Sequence, residues 1–199
     1  MVSALLDSLK AELERFGESN DAVHTEYSQR MLNITHETGE FLSVLVRATS
    51  ARRVLEIGTS NGYSTLWLAE AARDVGGSVT TVEISEFKVK LASENFSRAK
   101  LSSSIHQIHD DAGRVLKGLE PNTFDLVFLD SERSEYPNWW PHIRRTLRPG
   151  GLLIVDNATS HSDQMAPFIA LVKTAAEFTT SVVPVGNGEF LAVKQLGSM

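Results

Sequence analysis

Leu5, Leu6, Leu9, Leu13 and Phe16 recur at three- and four-residue steps, which predicts an amphipathic helix over 3–16. Residues 17–21 interrupt that pattern. A second helix is predicted over 22–33 and a third over 38–48, where Phe41, Leu42, Leu45 and Val46 share one face. From Val54 onward short apolar runs alternate with longer amphipathic stretches. Strands are predicted at 53–57, 78–82, 104–108, 124–129 and 152–155, with helices at 62–73, 86–99, 111–118 and 136–147. Short apolar strands separated by helices imply a parallel sheet covered on both faces. The end of the chain differs: 177–183 and 189–193 flank Pro184-Val185-Gly186-Asn187-Gly188, which predicts a hairpin returning antiparallel. The expectation is an α/β fold with a mostly parallel, seven-stranded sheet, a C-terminal antiparallel hairpin strand and extra N-terminal helices. No repeat or linker divides the chain, so one domain is expected over 1–199, with a helical cap at 1–50 and an α/β core at 51–199.

Composition narrows the partners. A formal charge of −6 supplies no basic footprint, which disfavours nucleic acid and anionic membranes; only Arg144, Arg145 and Arg148 cluster. There is no cysteine, so thiolate catalysis and Cys-ligated zinc are excluded. Asp7, Lys10 and Glu12 interrupt the apolar residues at the start, and no run approaches the ~18 apolar residues of a membrane span. A cytoplasmic protein is the expectation.

The candidate chemistry begins at Val54-Leu55-Glu56-Ile57-Gly58-Thr59-Ser60-Asn61-Gly62-Tyr63-Ser64. A strand, a tight glycine-containing turn and a helix opening make a nucleotide cradle, because unpaired N–H groups at the helix start face the ligand. A dinucleotide fingerprint carries a middle glycine where this chain has Ser60, which argues against NAD. The second strand ends at Glu83, placed to accept hydrogen bonds from ribose hydroxyls, and the third leads into Asp111-Ala112, placed to cap a helix or reach adenine. Glu56 lies within the first strand, where a carboxylate needs a partner.

This series, Glu56-Ile-Gly-Thr-Ser-Asn-Gly62 followed by Glu83 and Asp111-Ala112, resembles S-adenosylmethionine-dependent methyltransferases. More narrowly it is similar to bacterial O-methyltransferases related to the catechol and caffeoyl-CoA enzymes, over 34–194. The resemblance implies a Rossmann-like methyltransferase fold. It assigns Glu56, Gly58, Ser60 and Ser64 to the methionine end of S-adenosylmethionine, Glu83 to its ribose and Asp111-Ala112 to adenine, with Gly62 and Tyr63 also among the cofactor-binding residues. Ile34-Thr35-His36-Glu37-Thr38-Gly39 is similar to a segment that closes over the cofactor. Relatives often pair, which implies a homodimer.

Asp130 ends the fourth strand, and Asp156-Asn157 end the fifth. On neighbouring strands these ends stand about 5 Å apart, and two carboxylates with a carboxamide oxygen suit Mg²⁺ or another hard divalent ion. The same three residues match the family's metal set, and Asp130 also borders the cofactor and the reacting groups. The implied reaction moves a methyl group to a hydroxyl of a small phenolic or catechol-like acceptor. One departure matters: many relatives carry Lys as a proposed base where this chain has Arg133, and a guanidinium does not deprotonate at usable pH. Arg133 can instead hold a phenolate, pair with Glu132 or Glu135, or contact an acidic substrate, and His161 is the candidate base. Tyr136, Trp139 and Trp140 are candidates for an aromatic wall, with simple core packing as the alternative. An RNA-nucleoside methyltransferase and a cofactor-binding regulator that has lost catalysis are the competing readings.

Overall fold

The computed structural model describes residues 2–196. Two helices, α1 (Val2–Val23) and α2 (His36–Ala48), precede β1 (Arg53–Ile57). Then follow α3 (Tyr63–Asp74), β2 (Ser78–Glu83), α4 (Glu86–Arg98), β3 (Ile105–His109), α5 (Ala112–Gly118) and β4 (Phe124–Leu129). The chain ends with α6 (Tyr136–Thr146), β5 (Leu147–Val155), α7 (Ser162–Lys173), β6 (Phe178–Val183) and β7 (Glu189–Lys194).

The seven strands form one sheet in the order β3-β2-β1-β4-β5-β7-β6. The first five pair in parallel, and β7 runs antiparallel between β5 and β6. The predicted mostly parallel sheet with a returning hairpin strand is therefore the observed one. Side chains alternate across β1: Val54 joins the core beneath α1, α2 and α3, whereas Leu55 and Ile57 join the core beneath α6 and α7. Chain order reverses at β1, since β2 lies on one side and β4 on the other. That crevice is where ligands bind outside the carboxyl ends of a parallel sheet.

Four expectations change. The first helix does not stop at Gly17 but continues to Val23, and no helix forms over 22–33. Only a 3₁₀ turn at Tyr27–Gln29 appears there. Asp21 explains the switch: its carboxylate accepts the backbone N–H groups of Met31 and Leu32 at 2.7 and 2.8 Å, replacing helical partners. The helix α7 was not anticipated, although Met165, Phe168 and Val172 at helical steps form its buried face. Finally β5 begins at Leu147 rather than 152, because Phe124 pairs with Leu147 ahead of an irregularity that absorbs Pro149.

The N-terminal helices are fastened by buried polar contacts. Lys10 is 1% exposed, with Nζ 2.7 Å from Glu70 Oε2 and 3.5 Å from the Trp67 ring centroid. Breaking such a pair leaves the other charge uncompensated. Lys10→Ala is therefore expected to lower unfolding free energy by about 2–4 kcal/mol. Lys10→Met, which keeps the stem's packing but not the ammonium, serves as the control, and urea titration measures both.

Candidate active site

A cavity of about 790 Å³ opens along the carboxyl ends of β1 to β5. Gly58 lies in the left-handed region at φ 108°, and a Cβ there would fall 2.0 Å from the Asp130 carbonyl oxygen, so no side chain fits. Ser60 also takes a left-handed φ, 47°. Its N–H donates to Glu83 Oε2 at 2.9 Å and its Oγ donates to the Met31 carbonyl at 2.7 Å. The residue that replaces the dinucleotide glycine thus links the cradle to both the ribose-acceptor candidate and the segment over 27–34.

Glu56 is fully buried and stands behind the cavity wall rather than in it. Ser64 Oγ and Thr81 Oγ1 donate to it at 2.6 Å, and Thr65 Oγ1 donates as well. Burial pushes its carboxyl up to about 7 against the hydroxyls that favour the charge. Its partners are hydroxyls of α3 and β2, and Ser64 among them reaches the cavity lining. Gly58, Ser60 and Tyr63 line it too, while Gly62 caps α3 in a left-handed conformation at φ 88°.

Glu83 lines the cavity and also accepts the Ile84 and Ser85 N–H groups at 3.0 and 2.9 Å. Asp111 caps α5 through the Arg114 N–H at 2.8 Å, and Asp111 and Ala112 both face the cavity. Of the three aromatic candidates, Trp139 alone borders it. It does so beside Asp111 and Gly113: a Cβ on Gly113 would lie 3.1 Å from Trp139 Nε1. Tyr136 and Trp140 pack with Phe168 in the core instead.

At the other end β4 and β5 bring their terminal acids together, because Leu129 pairs with Val155. Asn157 Nδ2 bridges them, 3.2 Å from Asp130 Oδ1 and 3.1 Å from Asp156 Oδ2. Burial, then the Asp156 charge, raises Asp130 well above the usual carboxylate range, and burial raises Asp156. A third acid stands behind them. Glu189 accepts from Thr38 Oγ1 at 3.0 Å, and burial and Asp156 push it up to about 10. Its Oε2 is buried with no hydrogen-bond partner. Among the described residues no three His, Cys, Asp or Glu side chains gather as a metal cage. The predicted set is two carboxylates and a carboxamide, a donor chemistry that fits a hard cation in a place where negative charge is otherwise poorly tolerated.

Arg133 and His161 also line the cavity. Arg133 Nε donates to Gln164 Oε1 of α7 at 2.8 Å, and His161 Nδ1 lies 2.9 Å from Ser160 Oγ. Sequence reasoning missed Asn61, Lys88, Asn187 and most of the 27–34 wall. Asn61 lay in the recognised turn; it is buried, and its Nδ2 meets no acceptor. By contrast the arginine cluster is engaged within the fold. Arg144 pairs with Glu177, Arg148 with Asp125, and Arg145 donates to carbonyls of Leu119, Leu116 and Lys117. No helix among the described residues is long and apolar enough to cross a membrane.

A family model described as O-methyltransferase matches residues 7–195. The chain belongs to this family of S-adenosylmethionine-dependent O-methyltransferases. A protein of Mycolicibacterium smegmatis, named only provisionally as an O-methyltransferase, is 32% identical over 174 residues, covering 81% of this chain and 82% of its own. A Mycobacterium tuberculosis catechol O-methyltransferase is 36% identical over 124 residues, or 62% of this chain and 56% of that one. The solved O-methyltransferase from Bacillus cereus in complex with S-adenosylhomocysteine superposes with a TM-score of 0.80 at 25% identity, covering 94% and 91% of the two chains. The fold read from the sequence is thus that of its relatives.

Glu56 yields a pH test. Its folded-state carboxyl titrates near 7 against an ordinary 4.5. A raised value means that its share of stability is full below pH 4.5, falls as pH rises, and is gone above 7. Glu56→Gln is expected to remove about 3 kcal/mol of pH dependence between those limits. Urea unfolding of variant and parent at several pH values measures the difference.

Proposed function

We propose that the cavity holds S-adenosylmethionine along β1 to β3 and a small catechol-like or phenolic acceptor at the ends of β4 and β5. The observation that carries this reading is the placement of Glu83, Asp111 and the Asp130/Asp156/Asn157 group around one cavity. Three backbone N–H groups already occupy Glu83, which leaves acceptor capacity for one ribose hydroxyl, and Trp139 with Ala112 offers an apolar slot for a purine. The orphan amide of Asn61 and the start of α3 offer donors to the cofactor's carboxylate. Glu56 acts at one remove, by fixing the Ser64 hydroxyl.

The reaction is an in-line displacement. The acceptor hydroxyl loses its proton, its oxygen bonds to the methyl carbon, and the carbon–sulfur bond breaks to leave the thioether S-adenosylhomocysteine. Asp130, Asp156 and Asn157 are the residues that would hold a divalent ion, Mg²⁺ by preference, whose charge would gather two neighbouring acceptor oxygens and ease ionisation. The chain supplies orientation through the rigid strand ends, which is the larger part of bringing two substrates into line. His161, which lines the same cavity, is the base in this reading and takes the hydroxyl proton directly or through one water. Arg133 holds negative charge without accepting a proton.

Homodimer formation belongs to the same proposal. Leu5 and Phe16 on α1 are 51% and 41% exposed, which leaves an apolar strip for a second copy. Sedimentation distinguishes one chain from two.

Calorimetry with S-adenosylhomocysteine tests the cofactor part. Binding is expected in the parent, and Glu83→Ala is expected to weaken it by about tenfold or more, the worth of hydrogen bonds to a charged acceptor. Methylation of a catechol panel is expected to fall in excess chelator and return with Mg²⁺. Full activity without metal removes the metal from the proposal, and absence of cofactor binding removes the proposal itself.

A further inference from the structure

The cavity's charges are unevenly placed. Seven carboxylates line it against the cations Arg30, Lys88 and Arg133. Arg30 Nε lies 4.0 Å from Asp21 Oδ2, and Lys88 stands in the field of Glu83, Asp21 and, after them, Asp130. The acids that act most on these two cations are thus Asp21 and Glu83 rather than those at the β4 and β5 ends. Arg133 is different. It sits three residues beyond Asp130, in the 3₁₀ turn Arg133–Glu135, and lines the cavity with Tyr27 and His161; its charge acts on Tyr27, and it and His161 both act on Asp156.

Its partners do not use the guanidinium fork. Nε is tethered to the neutral Gln164 amide at 2.8 Å, and among the described residues neither Nη group has a hydrogen bond and no carboxylate comes within ion-pair distance. Asp130 and Asp156 are bridged by Asn157 rather than by Arg133. A half-buried arginine held by its Nε, with both Nη groups uncommitted beside the acceptor end, presents the geometry that takes a carboxylate through two parallel hydrogen bonds. Without such a group, the acidic lining would repel an anionic acceptor.

We propose that Arg133 is a specificity-determining residue that binds a carboxylate on the acceptor, so that the preferred substrate is a catechol-like acid rather than a neutral catechol. This rests on the methyl-transfer reading above. The carboxylate pairs with the Nη groups at the mouth, and the ring's neighbouring oxygens point inward to the β4 and β5 ends. Tyr27 contributes a phenol O–H on the same rim.

The test uses the protein saturated with S-adenosylhomocysteine in Mg²⁺ buffer, titrated calorimetrically with 3,4-dihydroxybenzoate and with its neutral isostere 3,4-dihydroxybenzamide. The acid is expected to bind about tenfold or more tightly. In Arg133→Gln that ratio is expected to fall to within about twofold, and Arg133→Lys to restore part of it. Arg133→Glu is expected to favour 3,4-dihydroxybenzylamine over the acid. Equal affinity for acid and amide in the parent overturns the inference, as does a preference that survives in Arg133→Gln or binding of neither probe. Those outcomes leave the methyltransferase reading standing so long as catechols are methylated. A protein that does not take up S-adenosylhomocysteine overturns both.

Discussion

A carboxyl group with no exposed surface sits on β1, and the cradle is built around satisfying it. Glu56 collects hydroxyls from Ser64 and Thr65 on α3 and from Thr81 on β2, while Thr81 also meets Thr59 at 2.6 Å. Burying the group costs free energy that those three hydrogen bonds offset in part, which leaves it titrating near neutrality rather than at 4.5. The consequence is mechanical. Two strands, the 58–62 turn and the first turn of α3 share one buried network, so the N–H groups around Gly58 and Ser60 keep their places before any ligand arrives. Preorganisation of this kind matters more than one further contact, because a methyl transfer depends on alignment.

The N-terminal helices become part of the cavity by a second set of ties. Asp21 fixes the backbone at Met31 and Leu32, and Ser60 takes the Met31 carbonyl, so the 27–34 wall is held from both sides. Glu14 accepts from the Tyr63 hydroxyl and lies 2.8 Å from His36 Nδ1, joining α1 to the start of α3 and the start of α2. Thr38 then reaches across to Glu189 on β7. The wall over the cofactor end and the acids at the acceptor end are thereby connected through α2, although they come from opposite ends of the chain.

The fold was legible where local pattern and tertiary demand agree. Val54 to Ile57, Phe124 to Leu129 and the 184–188 turn announce themselves through apolar runs and turn residues. It was illegible where a single long-range contact decides. Nothing local to 22–33 says that Asp21 will take the N–H groups of Met31 and Leu32, and Gly17 looks like a helix end until packing keeps it helical. The site followed the same rule. Glu83, Asp111, Asp130, Asp156 and Asn157 follow strands or open helices, so their convergence follows from the sheet's topology. The cavity facing of Lys88, Asn61 and Asn187 depends on how α4 and the loops pack, and so does the division that sends Trp139 to the cavity but Tyr136 and Trp140 to the core.

The acceptor end poses an electrostatic problem that narrows what each residue can do. Burial and the Asp156 charge raise Asp130, burial raises Asp156, and burial with Asp156 pushes Glu189 up to about 10. Positive charge is needed close by, and the charges of Arg133 and Lys88 both act on Asp130. Yet the Arg133 Nε donates to Gln164 of α7, while the Asn157 amide bridges the two carboxylates. Were Arg133 there to neutralise the pair, a direct fork onto either carboxylate would be the lower-energy arrangement. On the proposed reading its separation divides the labour instead: the acids and Asn157 would be left to a hard cation and the acceptor's oxygens, and the guanidinium to whatever charge the acceptor carries at its outer edge. A lysine at the same position would serve as a base or a point charge. A guanidinium can serve only as the charge, and its planar fork adds a shape requirement that an ammonium does not impose.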